Sequence, residues 1–446
     1  MKRIALLIIT LLPLAIFADD FFDDVDSFGD ESSSSSSLEV NGTVTVGATD
    51  YINEDGIDGA LESTTDGEFT VKYLGEVGDV TIIADLDQDG IALNECYTNI
   101  YFDNFSIDAG LLKTIWGKGD KLHVVDLLNP IDYNTYFTED YLDNKIARLT
   151  FKANVPVGES GVLELAYLPT FKGDNVPTDG RWSPLEAQAL KSVIEAKVTT
   201  DAVAAYAATY LSTYAYYTGL GKDDATADVT ANGAASLAEL QTVEAGMDMS
   251  SYYTNTDTFA YGQGGARFTN SFNGFDYGLL YYYGYESRPE LTAEYKLEYN
   301  KLQMFGAEFG GVLAGFNLRG EGAYYLIDNK DDTLNYVAGF DRDIPLHNIN
   351  MNVQVKGDYT MESEELNNLL VGKLSDNFNH EKLTVSVTGI YNIDDEDYMV
   401  KPEVEASLGD NIKVKSAAGL FYGDDDTMFG SFEENNFVSL KVEYAF

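Results

Sequence analysis

Residues 438–446 read VSLKVEYAF, and the fold turns on them. Val438, Leu440, Val442, Tyr444 and Phe446 share one face of an extended chain, while Ser439, Lys441, Glu443 and Ala445 share the other, because successive side chains of a strand alternate. The same two-residue period runs through 349–359, where Ile349, Met351, Val353, Val355 and Tyr359 alternate with Asn350, Asn352, Gln354, Lys356 and Asp358. It recurs at Leu383, Val385, Val387 and Tyr391, and near the other end at Leu38, Val40, Val44, Val46 and Ala48. These runs are about ten residues long, the length that crosses a bilayer at a tilt. An antiparallel barrel closed on itself is the form that satisfies every backbone group inside a membrane.

Parity refines the count. The clear segments alone give an odd number, which would leave the chain ends on opposite sides; a weaker strand near Leu366–Asp376 restores an even number. The expected fold is an all-β transmembrane antiparallel barrel of about 18 strands, with about 16 as the alternative. Tight turns at Gly78–Asp79, Asp103–Asn104, Asn273–Gly274, Asn379–His380 and Gly409–Asp410 then lie on the periplasmic side, and all long loops lie outside. Tyr281, Tyr282 and Tyr283 suit an interfacial aromatic girdle.

Composition narrows the classes. The chain of 446 residues has 74 Asp plus Glu against 28 Lys plus Arg, a formal charge of −46. Nucleic acid is excluded as a partner, since phosphate binding needs clustered bases. One Cys and three His leave little from which to build a zinc or haem site. Lys2 and Arg3 ahead of the apolar run Ile4–Phe17 mark residues 1–18 as an export signal, too short to span a bilayer. Residues 19–37, DDFFDDVDSFGDESSSSSS, read as an acidic, Ser-rich periplasmic arm, and 38–446 as the barrel.

The connection at 171–258 is too long for a bare loop and carries helix signals. Ser183 as N-cap, Pro184 in the first turn and Glu186 form a capping box. Ala-rich stretches follow at Leu185–Val198, Ala202–Tyr217 and Ala234–Ala245. This insertion is either an external loop domain or a plug.

Enzyme chemistry finds no support. Asp85, Asp87, Asp89 and Gly90 imitate the start of a calcium loop but have Cys96 where its last ligand belongs, so an acidic hairpin tip is the reading. Gly117, Lys118, Gly119 and Asp120 lack the spacing of a phosphate loop. His123, beside Asp126, reads as a constriction-loop histidine; no catalytic residue, metal or cofactor is expected.

Three stretches carry a resemblance. The terminal VSLKVEYAF resembles the recognition strand of Gram-negative outer-membrane proteins, which marks Tyr444 and Phe446 as an assembly signal. GLLKTIWGKGDKLHVVDLLNPIDY (110–133), with its W-G, D and N-P landmarks, and MFGAEFGGVLAGFNLRGEGAYYL (304–326) resemble a family of porin-like Gram-negative outer-membrane barrels, mostly of unknown function. The resemblance covers roughly 95–446. It implies an outer-membrane lipid setting; the expected partners are that lipid, the barrel-assembly machinery and, on the channel reading, a small-molecule solute.

The expected function is passive uptake of small solutes through a porin or substrate channel; the alternative is a surface adhesin or structural barrel without an open pore. By analogy with general porins, the third external loop, Gly117–Asn144, folds inward to narrow the pore. Parity puts Arg148, Lys152, Arg319, Glu321 and Lys356 on the lumen wall. Arg148, Lys152 and Arg319 are expected to form a basic ladder for an anionic or carboxylate-bearing solute, opposed by Asp120 and Asp126 of the third loop. Lumen charge is nearly balanced, so the acidic excess belongs to the arm and loops.

Overall fold

A computed structural model describes residues 37–53, 56–57, 61–88, 90–134 and 142–446. The expected export signal and nearly all of the acidic arm lie outside the described residues. Among the described residues, eighteen long antiparallel strands form a single sheet, each paired with its neighbours in sequence. They are β1 (Ser37–Asn53), β2 (Glu62–Leu74), β3 (Gly78–Asp87), β4 (Gly90–Tyr101), β5 (Ser106–Leu112), β6 (Arg148–Val157), β7 (Gly161–Leu168), β8 (Gln263–Phe272), β9 (Phe275–Tyr285) and β10 (Lys301–Leu313). The rest are β11 (Phe316–Ile327), β12 (Thr333–Ile344), β13 (Ile349–Thr360), β14 (Glu365–Phe378), β15 (Leu383–Asn392), β16 (Tyr398–Ser407), β17 (Ile412–Tyr422) and β18 (Asn436–Ala445). β18 pairs back onto β1, from Thr43 against Ala445 to Ile52 against Asn436, so the sheet closes with no free edge. The weak strand is β14, which pairs on both sides.

Closure ends on the terminal aromatic. Phe446 N–H donates to Gly42 O and Gly42 N–H donates to Phe446 O, both at 3.0 Å. The Phe446 ring lies over Gly42, where a Cβ would sit 2.5 Å from it, and packs edge-on against Phe69. Only glycine leaves room for that ring.

The alternation sets which face meets lipid. Val438, Leu440, Val442 and Tyr444 are exposed on the outer wall, whereas Phe437 between β17 and β1 is 1% exposed. Val385 and Val387 are exposed, and Ser386 between them is buried. The outward face is apolar and the inward face polar, the pattern of a transmembrane barrel. No described helix is long and apolar enough to cross a membrane. The barrel is that of a bacterial outer-membrane protein.

Three local expectations are corrected. Tyr281 and Tyr283 are exposed, but Tyr282 is fully buried and its hydroxyl donates to Gln263, so the triplet straddles the wall. A period of two cannot put three consecutive residues on one face. The first short turn lies at 75–77 rather than at Gly78–Asp79, because Asp79 Oδ1 accepts the Gly75 N–H and its own residue joins β3.

The third correction concerns the insertion. It forms a helical hairpin of α1 (Leu185–Gly219) and α2 (Asp224–Gly246). The gap expected near 199–201 is absent: the helix runs on through Thr199 and Thr200, whose hydroxyls donate to the carbonyls of Glu195 and Ala196 in the preceding turn. Pro184, not Ser183, is the N-cap, and no side chain caps that end; Glu186 pairs with Arg288 at 2.7 Å instead. At α2 the cap is made by Asp223, which accepts from Thr226 N–H at 2.9 Å. Ala227, Ala231 and Ala235 are fully buried, which lets α2 lie close on α1. Alongside, Tyr206, Tyr210 and Tyr214 stack in a ladder whose hydroxyls donate to Asn232, Asp228 and Asp224.

Candidate pore and its constriction loop

The third external connection, between β5 and β6, enters the barrel, and its landmark residues are what hold it there. Asn129 bridges the loop neck: its Oδ1 accepts Thr114 N–H at 2.7 Å, and its Nδ2 donates to Leu112 O and Ile146 O at 3.1 and 3.0 Å. Those partners sit where β5 ends and β6 is about to begin. Asp126 accepts Trp116 N–H at 3.3 Å and forms an ion pair with Lys145 in which neither side chain is exposed. Trp116 is fully buried, its indole N–H donating to Glu164 at 3.2 Å and its ring pressed on Gly265, where a Cβ would clash. With Val124, Val125 and Leu128 it packs against inward side chains of β7 and β9–β12, including Leu280, Tyr282, Met304 and Tyr325. The loop is therefore glued to one side of the lumen by burial.

Its tip is pinned by polar contacts. Glu321 of β11 accepts Gly119 N–H at 2.6 Å and Val124 N–H at 2.8 Å, with His123 Nδ1 at 2.8 Å. Gln354 of β13 accepts Asp120 N–H and donates to Asp120 O, and Asn352 donates to the Asp120 carboxylate at 2.6 Å. Lys118 reaches Asp276 at 3.3 Å. Asn352, Arg319 and Asp276 all lie within the first few residues of strands that rise from short turns, so the tip descends close to the short-turn rim.

The expected pore residues take unlike places. Arg319 forms an ion pair with Asp341 and lies 3.8 Å from Asp120, so wall and loop do meet there. Lys152 pairs with Asp108 at 3.0 Å, and Lys356 with Asp358 at 3.2 Å. Arg148 stands at the long-loop end of β6, half-buried, donating to Thr170 at 2.9 Å. Asp126 and Glu321 do not face open lumen: both side chains are buried against the loop. Arg148, Lys152 and Arg319 are thus separated and engaged with protein partners, rather than lined up as a ladder. Asn352, a lumen position on parity, is covered by Asp120.

Sequence reasoning passed over Glu164, Asn352 and Gln354 as anchors of the loop, because parity says only that a residue faces inward. It also missed Lys373 of β14, which pairs opposite Asn352 and is exposed. The bases of the other wall cluster more tightly. Lys415 of β17 and Lys441 of β18 are directly opposite in register, and with Lys401, Thr49, Ser439 and Phe437 they line a small cavity. Glu403 lies 3.2 Å from Lys415.

The long-loop rim above that cavity is partly roofed. Trp182, from the long insertion, packs on Tyr51, Phe421, Phe432 and Phe437, and the Arg181 guanidinium sits 3.7 Å over the Tyr51 ring. On the other side Asp174 ties the insertion to the third loop by accepting Ile131 N–H at 2.9 Å. Burial pushes the Asp174 carboxyl above its ordinary range, although that N–H, Ser287 and Arg288 pull it down.

Neither a family model nor a curated protein sequence matches the chain. Solved structures do. OpdQ of Pseudomonas aeruginosa aligns with a TM-score of 0.50 at 7% identity, over 92% of this chain and 97% of that one. OccK3 (OpdO) of the same organism gives 0.50 at 8% identity, over 92% and 96%. A BenF-like porin from Pseudomonas fluorescens gives 0.49 at 8%, over 92% and 98%. At identities this low the likeness is one of fold, and the fold is that of a porin-like barrel of the outer membrane.

Proposed function

We propose that the chain is a passive channel for small solutes, and that the solutes it favours are anionic. The observation that carries the reading is the third loop docked on one wall of a closed 18-stranded barrel. A barrel of this strand number encloses more space than its own side chains fill, and a loop held flat against β7–β13 narrows that space without filling it. The route then runs along the rest of the wall, β14–β18 and β1–β4, of which β14–β18 carries the clustered bases. There Lys373 and Lys413 are exposed, and Lys415 stands directly across from Lys441 beside Lys401. Like charges in direct cross-strand register repel; Glu403, 3.2 Å from Lys415, offsets part of that, and a passing carboxylate or phosphate adds further countercharge.

Single-channel recording in planar bilayers tests this. Wild type should give discrete open steps with a reversal potential across a salt gradient, and Lys401→Glu/Lys441→Glu should move that potential toward cations. An unmoved potential removes the β14–β18 route, and complete silence of folded wild type removes the channel.

A second reading, a surface-binding barrel, is favoured by one observation. Val203, Leu211, Val229 and Leu240 on α1 and α2 are each at least 60% exposed, an apolar display unusual for a soluble surface. We propose that the hairpin stands clear of the lumen. The contacts that join it to the loop between β9 and β10, Glu186 with Arg288 and Lys197 over Tyr295, come from its base.

A further inference from the structure

The Gly117–Val124 turn has the form of an anion cradle, and what fills it is a side chain of the barrel. Gly119 and Val124 point their N–H groups at the two oxygens of Glu321, and His123 Nδ1 approaches Oε1. An ionised carboxylate has no proton to share, so Nδ1 carries it and the ring donates. Gly117 has φ +119°, and a Cβ there would lie 2.2 Å from Glu321 Oε1; at Gly119 it would lie 1.9 Å from Leu122 O. The two glycines are thus required by how closely the chain wraps the carboxylate. Two N–H groups converging on one anion from the ends of the turn, with the Glu321 side chain wholly buried, make this a charge-assisted polar contact between loop tip and wall.

We propose that Glu321 is a positioning residue of the channel: caught in the Gly117–Val124 turn, it latches the constriction loop to β11 and holds the pore at one aperture. The proposal rests on the channel reading for its consequence, but not for its geometry. Beside the latch the tip is held by the contacts of Asp120 and Lys118, which are partly exposed, and by the Tyr325 hydroxyl on Val124 O, whereas the neck keeps Asn129 and the buried Asp126–Lys145 pair. Loss of Glu321 should therefore free the tip alone, and a freed tip should swing into the lumen as brief closures.

Two readouts separate this from the channel reading. Hydrogen exchange of folded protein in detergent should show amides 117–124 exchanging about tenfold faster or more in Glu321→Ala, the scale set by losing charge-assisted hydrogen bonds, with the strands unchanged. In bilayers the same variant should flicker, while wild type stays open. In a Cys96→Ser background, an Asp120→Cys/Asn352→Cys cross-link added to Glu321→Ala should abolish the flicker. His123→Ala, which keeps the carboxylate and both amides, should move both readouts in the same direction by less, and it decides the matter if Glu321→Ala does not assemble. Exchange unchanged in the assembled variants overturns the latch whether or not wild type conducts. Flicker that survives the cross-link overturns it as well. A silent wild type with accelerated tip exchange overturns only the channel and leaves the latch standing.

Discussion

Replacing Lys145 by Met should loosen the constriction loop at its neck, and the size of the effect follows from burial. Lys145 and Asp126 have no exposed side-chain surface, and besides Lys145 the Asp126 carboxylate accepts Trp116 N–H. Taking away the ammonium leaves a carboxylate buried against Trp116, Val125 and Leu128 with its countercharge gone. Breaking a buried pair from one side costs roughly 3–5 kcal/mol, which shifts the docking equilibrium by roughly two to four orders of magnitude. Asp126→Asn/Lys145→Met should recover most of that loss, because Asn keeps an oxygen for the Trp116 N–H and no charge remains. Trp116 reports the state of the loop, since the chain has two Trp and the other, Trp182, can be made Phe. With the barrel folded in detergent, acrylamide quenching of Trp116 is followed as urea rises. Lys145→Met should expose Trp116 at much lower urea than wild type, and the double variant near the wild-type value. If the single variant matches wild type, or the double variant is as exposed as the single, the pair does not hold the neck and the argument from burial fails.

Val387→Arg, on the lipid face, should impair assembly at a cost of roughly 2–4 kcal/mol near the midplane, while Lys373→Glu on the inner face leaves folding yield intact; equal yields would reject the facing of β14 and β15. Deleting 444–446 removes the Phe446 pairing with Gly42 and its ring contact with Phe69, so exported but misassembled protein is expected, and normal surface levels would refute a closing role. Removing 183–248 should leave conductance unchanged if the hairpin stands clear of the lumen; a rise would place α1 and α2 over the pore.

The alternation of VSLKVEYAF and its counterparts carried the barrel and its closure, and parity of the count supplied its weakest strand, because a strand's period is a local property that lipid on one face enforces. Parity could also say that Arg148, Glu321 and Lys356 point inward. It could not say what they meet. Inward-facing groups choose partners across the lumen, and only the descent of the third loop decided that Glu321 would be wrapped by Gly119 and Val124, Asp126 buried on Lys145, and Asn352 covered by Asp120. The spacing of Gly117-Lys118-Gly119 excluded a phosphate loop; that the turn nonetheless wraps a carboxylate some 200 positions further on is a fact of tertiary structure. The helical insertion shows the same division. Its Ala-rich composition announced helices, but α1 runs unbroken through Thr199 and Thr200 and begins without a side-chain cap, Glu186 being drawn to Arg288 instead. Backbone periodicity belongs to the sequence; the pairing of charges inside a closed wall belongs to the fold, because a buried charge takes whichever partner the chain brings within reach.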